Sequence, residues 1–255
     1  MTIHFSCTQC GKCCHDLRLT LSADEAAVWA GNGHTVQILS EALPVMPGAA
    51  DGDDPETVRS FAAVSGEMPI RIAATLVAYH DGACPHLQSG MRCGNYAARP
   101  RICRIYPLDR LAGVRFDTRG KVCPPEAWEE RHPPLTDGVR IFDPEAAAVL
   151  AQHREIARRE VPLMEALCRK LGIGAAAFAG EGLAVHTPEP AALLGALREL
   201  AEGFAAPEGP GGWTIVTNRA ATFAMLAGAG CEAGMVARGA GYLGSFPDES
   251  GDMSD

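Results

Sequence analysis

The sequence predicts an α+β protein whose two halves differ in character. The N-terminal half is rich in cysteine and in loops, because eight of the ten cysteines lie within the first 123 residues and glycines and prolines separate the later ones. Irregular backbone of this kind, with only short strands, is typical of segments organised by a bound metal. From residue 140 onward, helix-start signals and leucines at helical spacing predict a helical C-terminal half. We predict a cysteine-cluster metal-binding domain at 1–134 and a mainly helical region at 135–255, which can pack with the first domain as one unit.

Composition and charge limit the classes of function. The 255 residues are 47% hydrophobic and 21% charged, which is ordinary for a globular protein that needs no disulfide framework. A net charge of −9 repels phosphate backbones, so nucleic acid is not an expected partner. The first residues lack a signal-peptide pattern and no run of about 18 apolar residues occurs, so we expect no membrane span and a cytoplasmic location. Thiols stay reduced there, which favours metal or redox chemistry for the cysteines.

The first elements follow from local signals. Apolar and polar residues alternate over 17–21, which predicts a short strand. Ser22, with Glu25 three residues later, forms a capping-box pattern, so we predict a helix from 23 to about 30. Alternation, glycine and proline predict the other segments of this half: strands at 34–39, 68–79 and 114–117, a loop at 44–57 and a short helical piece at 95–98.

Four helices are predicted in the C-terminal half. Asp143, Pro144 and Glu145 provide an N-cap, a first-turn proline and an acidic first turn, so a helix is expected at 146–160. Similar signals predict the remaining elements: a second helix ending at 171, a third from 187–189 to about 203, a strand or extended link at 213–216, and a fourth helix that Asn218 caps and that runs to 227.

Three cysteines near the start of the sequence have the spacing of a metal site. Cys7, Cys10 and Cys13 form Cys-x2-Cys-x2-Cys, in which the intervening turns bring the sulfur atoms to one side. This spacing is typical of the opening of a ferredoxin-type iron–sulfur site, whereas Cys-x2-Cys alone also forms zinc knuckles. We therefore favour an iron–sulfur cluster, with zinc as the alternative. The predicted ligands are the eight clustered thiols: Cys7, Cys10, Cys13, Cys14, Cys84, Cys93, Cys103 and Cys123.

The number of metal centres stays open at this point. Cys13 and Cys14 are adjacent in sequence, and because neighbouring side chains diverge, the two do not easily bind one ion. Eight thiols divide into two four-thiolate sites, or they make one site together with catalytic or structural thiols. Cys168 and Cys231 each lie alone in an apolar, helical context, which predicts structural cysteines.

The cysteine motifs occur in a recognisable order. The chain carries Cys7-x2-Cys10-Gly11-x-Cys13-Cys14, Cys84-x2-Leu87, Cys93-x2-Tyr96, Arg99-Pro100-x2-Cys103-Arg104-x-Tyr106-Pro107 and Cys123. This order resembles the CxxCxxCC (YkgJ-like) family, which is described as zinc- or iron-chelating, and the resemblance covers residues 5 to about 125. It implies a cysteine-rich metal-binding domain. A related group includes the flagellin lysine methylase, so the resemblance also implies protein modification as one use.

Side chains beside the thiols are predicted to support the centre. Arg99 and Arg104 belong to the resemblance, and their charges would offset the thiolates and donate hydrogen bonds to sulfur. Tyr96 and Tyr106 either keep water away from the centre or fill a small core.

Three functions are compatible with these residues. The first is a metal-binding protein of undefined cellular role, whose helical C-terminal half binds a protein partner. The second is a protein- or peptide-modifying, methylase-like enzyme whose metal centre organises the site. The third is a redox or metal-handling protein in which a spare thiol such as Cys14 reacts.

Overall fold

The chain is divided between two structural units that alternate along the sequence. The computed structural model describes residues 2–45, 57–108, 116, 118–205 and 209–249. Unit 1 comprises Met1–Leu21 and Ala78–Ile156, and unit 2 comprises Ser22–Val77 and Ala157–Asp255. Each unit therefore takes residues from both halves of the sequence. The predicted domain boundary between residues 134 and 135 stays a prediction.

The described residues form a mixed α/β structure, as predicted at the level of fold class. The helices are α1 (Ala23–Gly31), α2 (Arg101–Ile105), α3 (Pro144–Arg159), α4 (Val161–Lys170), α5 (Pro190–Glu202) and α6 (Ala220–Gly228). The strands are β1 (Ile3–His4), β2 (His15–Thr20), β3 (Val36–Pro44), β4 (Phe61–Ser65), β5 (Met68–Ala83), β6 (Pro134–Thr136), β7 (Ala175–Phe178), β8 (Gly182–His186), β9 (Gly211–Gly212), β10 (Thr214–Thr217), β11 (Ala233–Met235) and β12 (Tyr242–Gly244). The predicted, mainly helical C-terminal half is not clearly confirmed, because strands β7–β12 accompany helices α3–α6 there.

Unit 2 is built on parallel strands. Strand β7 lies between β3 and β10, β10 lies between β7 and β11, and these pairings are all parallel. Strand β8 pairs antiparallel with β3, and β12 pairs antiparallel with β8. Helix α6 connects the parallel strands β10 and β11, as crossover helices do. In α5, Leu193, Leu197 and Leu200 are buried at helical spacing.

Unit 1 has a small hydrophobic cluster of its own. Its buried members are Ile105, Leu108, Phe116, Leu135, Val149 and Leu150. Phe5 and Trp128 pack against them, with ring centroids 4.8 Å apart. Apolar packing therefore stabilises the cysteine-rich part of the chain. The sequence interpretation had expected a bound metal, and not a hydrophobic cluster, to organise this part.

Most of the predicted elements exist with bounds shifted by a few residues. The capping box of α1 is present in full: the Ser22 hydroxyl accepts from the Glu25 N–H, and the Glu25 carboxylate accepts from the Ser22 N–H. The segments predicted at 68–79 and 213–216 are the single strand β5 and strand β10. Most of the loop predicted at 44–57 and nearly all of the strand predicted at 114–117 lie outside the described residues.

Two local predictions were wrong. Residues 95–98 form turns, and the short helix begins only at Arg101, after Pro100 has supplied the extended backbone that precedes it. Asn218 does not cap α6, because its side chain donates to the Phe246 carbonyl and to Asp248 instead, and the N-cap position belongs to Arg219. Among the described residues, no helix is long and apolar enough to cross a membrane.

Candidate metal centre

All eight clustered cysteines belong to unit 1, and a backbone hydrogen bond joins their two groups. The first cysteine loop (7–14) closes on itself through the Cys14 N–H, which donates to the Gly11 carbonyl at 2.9 Å. The Cys14 carbonyl in turn accepts from the Cys84 N–H at 2.8 Å. The second cysteine loop (84–93) therefore starts directly beside the end of the first, although about seventy residues separate them in sequence.

Gly11 lets the two loops approach closely. It has a φ of +69°, and a Cβ built on it would lie 2.5 Å from the Met91 carbonyl oxygen. Real Cβ atoms do not come that near to a backbone oxygen, so a side chain here would push the loops apart. The position of Gly11 in the first motif therefore requires glycine, because the second loop packs directly against it.

Asp16 fixes the chain just after the first loop. Its Oδ1 accepts from the Gly82 N–H at 2.6 Å, two residues before Cys84. Sequence reasoning missed this contact. No local signal could have revealed it, because the two residues are 66 positions apart.

The second loop is a compact set of turns. The Leu87 N–H donates to the Cys84 carbonyl at 2.8 Å, and Leu87 forms an antiparallel bridge with Cys93. The Gly94 N–H donates to the His86 carbonyl at 2.7 Å. These bonds bring Cys84 and Cys93 to the same end of the loop, and the thiolate of each raises the pKa of the Cys103 thiol.

Helix α2 supplies the next thiol, and Arg99 lies just before it. The guanidinium of Arg99 stacks on the Tyr96 ring with 3.8 Å between its central carbon and the ring centroid. Its charge lowers the pKa of both Cys13 and Cys103. Arg99 Nε is buried and has no hydrogen-bond partner.

The thiols around Cys13 influence one another strongly. Burial is the main cause that raises the pKa of Cys103 to about 12, and the thiolates of Cys13, Cys84 and Cys93 contribute to this rise. The hydrogen bond between Cys13 and Cys14 is the largest cause in both of their shifts: it lowers the pKa of Cys13 to about 7 and raises the pKa of Cys14. Cys14 also feels Cys84 and Cys103, so this neighbourhood draws thiols from both loops and from α2.

Cys123 marks a second neighbourhood that shares Cys13 with the first. Burial is the main cause that raises the pKa of Cys123 to about 11; the thiolates of Cys13, Cys10 and Cys7 contribute to this rise, and a hydrogen bond from Tyr106 opposes it. The Tyr106 hydroxyl accepts from the Val122 N–H at 3.3 Å, and burial is the main reason that its own pKa is raised. Tyr106 thus contacts a thiol, which sequence reasoning could not separate from simple core filling.

The donor set fits a thiolate-bound metal in its chemistry. All ten cysteines are free thiols, and, besides burial and hydrogen bonding, repulsion from neighbouring thiolates is among the causes that raise the pKa of Cys14, Cys103 and Cys123. A metal cation would replace the protons and remove that repulsion. In the described part of the chain, however, no three or more Cys, His, Asp or Glu side chains are already grouped closely enough to hold an ion.

The two arginines predicted beside the thiols have different surroundings. Arg99 acts on Cys13 and Cys103, as described above, whereas Arg104 Nη2 pairs with the exposed Glu145 carboxylate at 3.3 Å. Cys168 and Cys231 belong to unit 2. Cys168 is fully buried, and burial raises its pKa to about 12, as expected for a structural thiol. The ligand roles of the eight cysteines and of both arginines stay predictions.

These loops, joined at Cys14 and Cys84 and packed through Gly11, define a cysteine-cluster domain. Residues 6–124 match the family model CxxCxxCC, described as "Putative zinc- or iron-chelating domain". The resemblance seen in the motifs is therefore confirmed. No curated protein and no solved structure matches the chain.

Proposed function

We propose that unit 1 binds metal through the thiolates of Cys7, Cys10, Cys13, Cys14, Cys84, Cys93, Cys103 and Cys123. The observation that carries the proposal is the hydrogen bond between the Cys84 N–H and the Cys14 carbonyl, at 2.8 Å. It brings the ends of two separate cysteine loops together, and a structural reason for two such loops to meet is a shared ligand. The family description, zinc- or iron-chelating, supports the same conclusion.

The electrostatics of the thiols support a cationic ligand. Burial, together with repulsion from the thiolates of Cys13, Cys84 and Cys93, raises the pKa of Cys103, so a metal-free cluster holds protons that a metal would displace. The positive charge of Arg99 acts in the opposite direction on two of these thiols. A single arginine does not balance several thiolates, whereas a metal centre does.

We favour an iron–sulfur cluster over zinc. Three thiols at Cys-x2-Cys-x2-Cys spacing and two thiol neighbourhoods that share Cys13 support a cluster more than a four-ligand zinc ion. When bound, such a cluster would supply electron transfer or structural cross-linking. The cysteine thiolates of the chain would bind the cluster. The Tyr106 hydroxyl, which donates to Cys123, and the charge of Arg99, which acts on Cys13, would lower the basicity of these two thiolates.

Anaerobic purification with iron, zinc and acid-labile sulfide analysis tests the proposal. We expect iron and sulfide in the unchanged chain, a loss of metal in Cys14→Ser, and unchanged metal content in the matched control Cys231→Ser, which alters a half-buried thiol of unit 2. Zinc without sulfide would overturn the iron–sulfur assignment and keep the metal site. Absence of both metals in a folded chain would overturn the metal site itself.

The cellular use of the centre stays a prediction. The protein-modifying enzyme, the redox or metal-handling protein and the partner bound through the C-terminal half were each compatible with the sequence. The cytoplasmic location likewise stays a prediction.

A further inference from the structure

A group of polar residues lies where three parallel strands of unit 2 end. Glu181 follows β7, Asn218 follows β10, and Arg238 follows β11. Because β7, β10 and β11 are parallel neighbours, their carboxyl ends meet at one edge of the sheet. In open parallel sheets this edge is where ligands bind.

Glu181 orients an arginine at this edge. Its carboxylate is buried, with Oε2 accepting from the Thr217 hydroxyl at 2.6 Å. Its Oε1 accepts from the Thr222 hydroxyl at 2.6 Å and from Arg219 Nη1 at 3.0 Å. The guanidinium of Arg219 is therefore held in place from the inside, while about a third of the side chain stays exposed toward the outside.

Residues 245–249 of the same chain lie across this edge and are bound by hydrogen bonds there. The Asn218 side-chain amide donates to the Phe246 carbonyl at 2.8 Å and to Asp248 Oδ1 at 3.0 Å. The Arg238 N–H donates to the same Asp248 oxygen at 2.9 Å. The Ala220 N–H, at the start of α6, donates to Glu249 Oε2 at 2.8 Å.

Arg219 completes these contacts with its outer face. Its Nε lies 3.6 Å from Glu249 Oε1, and its guanidinium carbon lies 4.8 Å from the centroid of the Phe246 ring. One aromatic ring and two carboxylates thus meet an arginine, two backbone N–H groups and an amide. Each carboxylate is bound by groups that donate, which is the pattern of anion recognition.

The segment is held by polar contacts and by little apolar burial. All of residues 245–249 are exposed, including the Phe246 ring at 41%. In contrast to these exposed residues, Asn218, which donates to two of them, is fully buried. Its Oδ1 has no hydrogen-bond partner. A buried amide whose other end receives an exposed segment, with one atom still unused, indicates a recognition site more than a core contact.

A shallow, open depression of the surface next to the segment leaves room for a longer ligand. It has a volume of about 500 Å³ and is lined by Arg238, Gly239, Tyr242, Leu243, Gly244 and Asp248. Asp248 forms part of its wall, so a chain bound at this edge can continue into it. The hydrogen bonds from Asn218 and Arg238 also lower the pKa of Asp248, in keeping with a site that favours the charged carboxylate.

We propose that this edge, formed by Asn218, Arg219 and the N–H groups of Ala220 and Arg238, is a docking site for an acidic peptide of a partner protein. The peptide carries an aromatic residue followed, two and three positions later, by two carboxylates, as Phe246, Asp248 and Glu249 do. Residues 245–249 are its intramolecular competitor. This site lies in unit 2 and does not depend on the metal proposed for unit 1.

The test uses the full chain and a fluorescent peptide with the sequence of residues 243–249, followed by anisotropy. In the variant Asp248→Asn/Glu249→Gln the competitor loses both charges, so we expect the peptide to bind at least about tenfold more tightly than to the unchanged chain. The matched control is a peptide in which the Asp and Glu are Asn and Gln, and it should bind neither protein. Equal binding of the charged and neutral peptides, or no binding to the folded variant, would overturn the proposal.

A second measurement needs no substitution. With excess acidic peptide, the unchanged chain should show faster hydrogen exchange at 245–249, because the Glu249 N–H gives up its bond to the Asn218 carbonyl. No change in exchange would overturn the proposal. So would a concentration-dependent dimer of the unchanged chain that the peptide does not dissociate, because the occupant would then be the same segment of a second copy.

Discussion

At the scale of single residues, Gly11 is the point where the first cysteine loop lies closest to the second. We predict that Gly11→Ala destabilises the protein by about 3 kcal/mol, since the left-handed backbone and the 2.5 Å approach to the Met91 oxygen both penalise a Cβ. Gly33→Ala is the matched control, because Gly33 has a φ of +78° but nothing within 4 Å of its Cβ position. Its cost should be about 1 kcal/mol, from the backbone alone.

Urea unfolding of both variants, together with their metal content, separates the two effects. If the loops meet as described, Gly11→Ala also lowers metal content, whereas Gly33→Ala does not. Equal losses of stability in the two variants would mean that contact between the loops contributes nothing.

Arg99 and Arg104 allow a second comparison at this scale. Arg99→Gln should weaken metal binding about tenfold, because its charge acts on Cys13 and Cys103. Arg104→Gln should leave metal affinity unchanged and cost less than about 1 kcal/mol of stability, because it breaks only an exposed pair with Glu145. Arg99→Lys keeps the charge and loses the planar stacking on Tyr96, so it should fall between the two.

Metal affinity measured by competition with a chelator checks this ranking. Equal effects of Arg99→Gln and Arg104→Gln would contradict it, and would return both arginines to the shared role that the motif suggested.

At the scale of elements, strong local sequence signals were sufficient to predict a helix or strand, whereas weak signals were not. The capping box at Ser22 and the Asp143-Pro144-Glu145 start fixed α1 and α3 to within a few residues, because these signals act within one helical turn. Strand β7, by contrast, reads Ala-Ala-Ala-Phe, and alanine has no preference for strands. It is a strand because β3 and β10 flank it, which only tertiary structure decides.

The candidate site divides in the same way. The spacing of the first three cysteines and the grouping of the others predicted eight thiols as metal ligands, and that assignment stays a prediction. The contacts that join the two loops, namely Cys14 with Cys84 and Asp16 with Gly82, connect residues more than sixty positions apart. No pattern within one segment can reveal such a pair. The prediction that Asn218 caps α6 failed for a related reason. Asn218 does lie just before α6, but its side chain donates to the Phe246 carbonyl, 28 residues away in sequence.

His186 connects three strands and predicts a pH dependence. At the end of β8, its Nε2 lies 2.9 Å from the Ala175 carbonyl of β7 and 3.0 Å from the Ser40 hydroxyl of β3. Burial lowers the pKa of His186 below its usual value of about 6.5. The folded protein therefore disfavours the protonated ring. The contribution to stability is complete above pH of about 6.5 and is lost as the pH falls toward the lowered pKa.

Thermal unfolding at pH 7.5 and pH 5.5 tests this for the unchanged chain and for His186→Gln, which retains a donor but does not titrate. The drop in melting temperature between the two pH values should be smaller in the variant. An identical drop would assign the pH dependence to other groups.

At the scale of the whole molecule, the division into two units separates two kinds of stabilisation. Unit 1 combines one small hydrophobic cluster with eight thiols, whereas unit 2 is built on parallel strands and buried helices. Metal-ligand bonds between loops that meet only in the folded state contribute to folding free energy directly. The stability of unit 1 should therefore depend on metal, and that of unit 2 should not.

Hydrogen exchange before and after anaerobic chelation measures this dependence in one experiment. We expect the Cys84 and Gly94 N–H groups, which bond within the thiol loops, to exchange at least about tenfold faster after metal removal, which corresponds to about 1.4 kcal/mol. The Ile215 N–H of β10, bonded to the Glu232 carbonyl, should keep its rate. Faster exchange at all three positions would mean that the two units unfold together, and unchanged exchange at all three would mean that the thiol loops hold their structure without metal. The variant Cys14→Ser, chelated in parallel, is the control: if it binds no metal, its exchange should already match the metal-free pattern and should not respond.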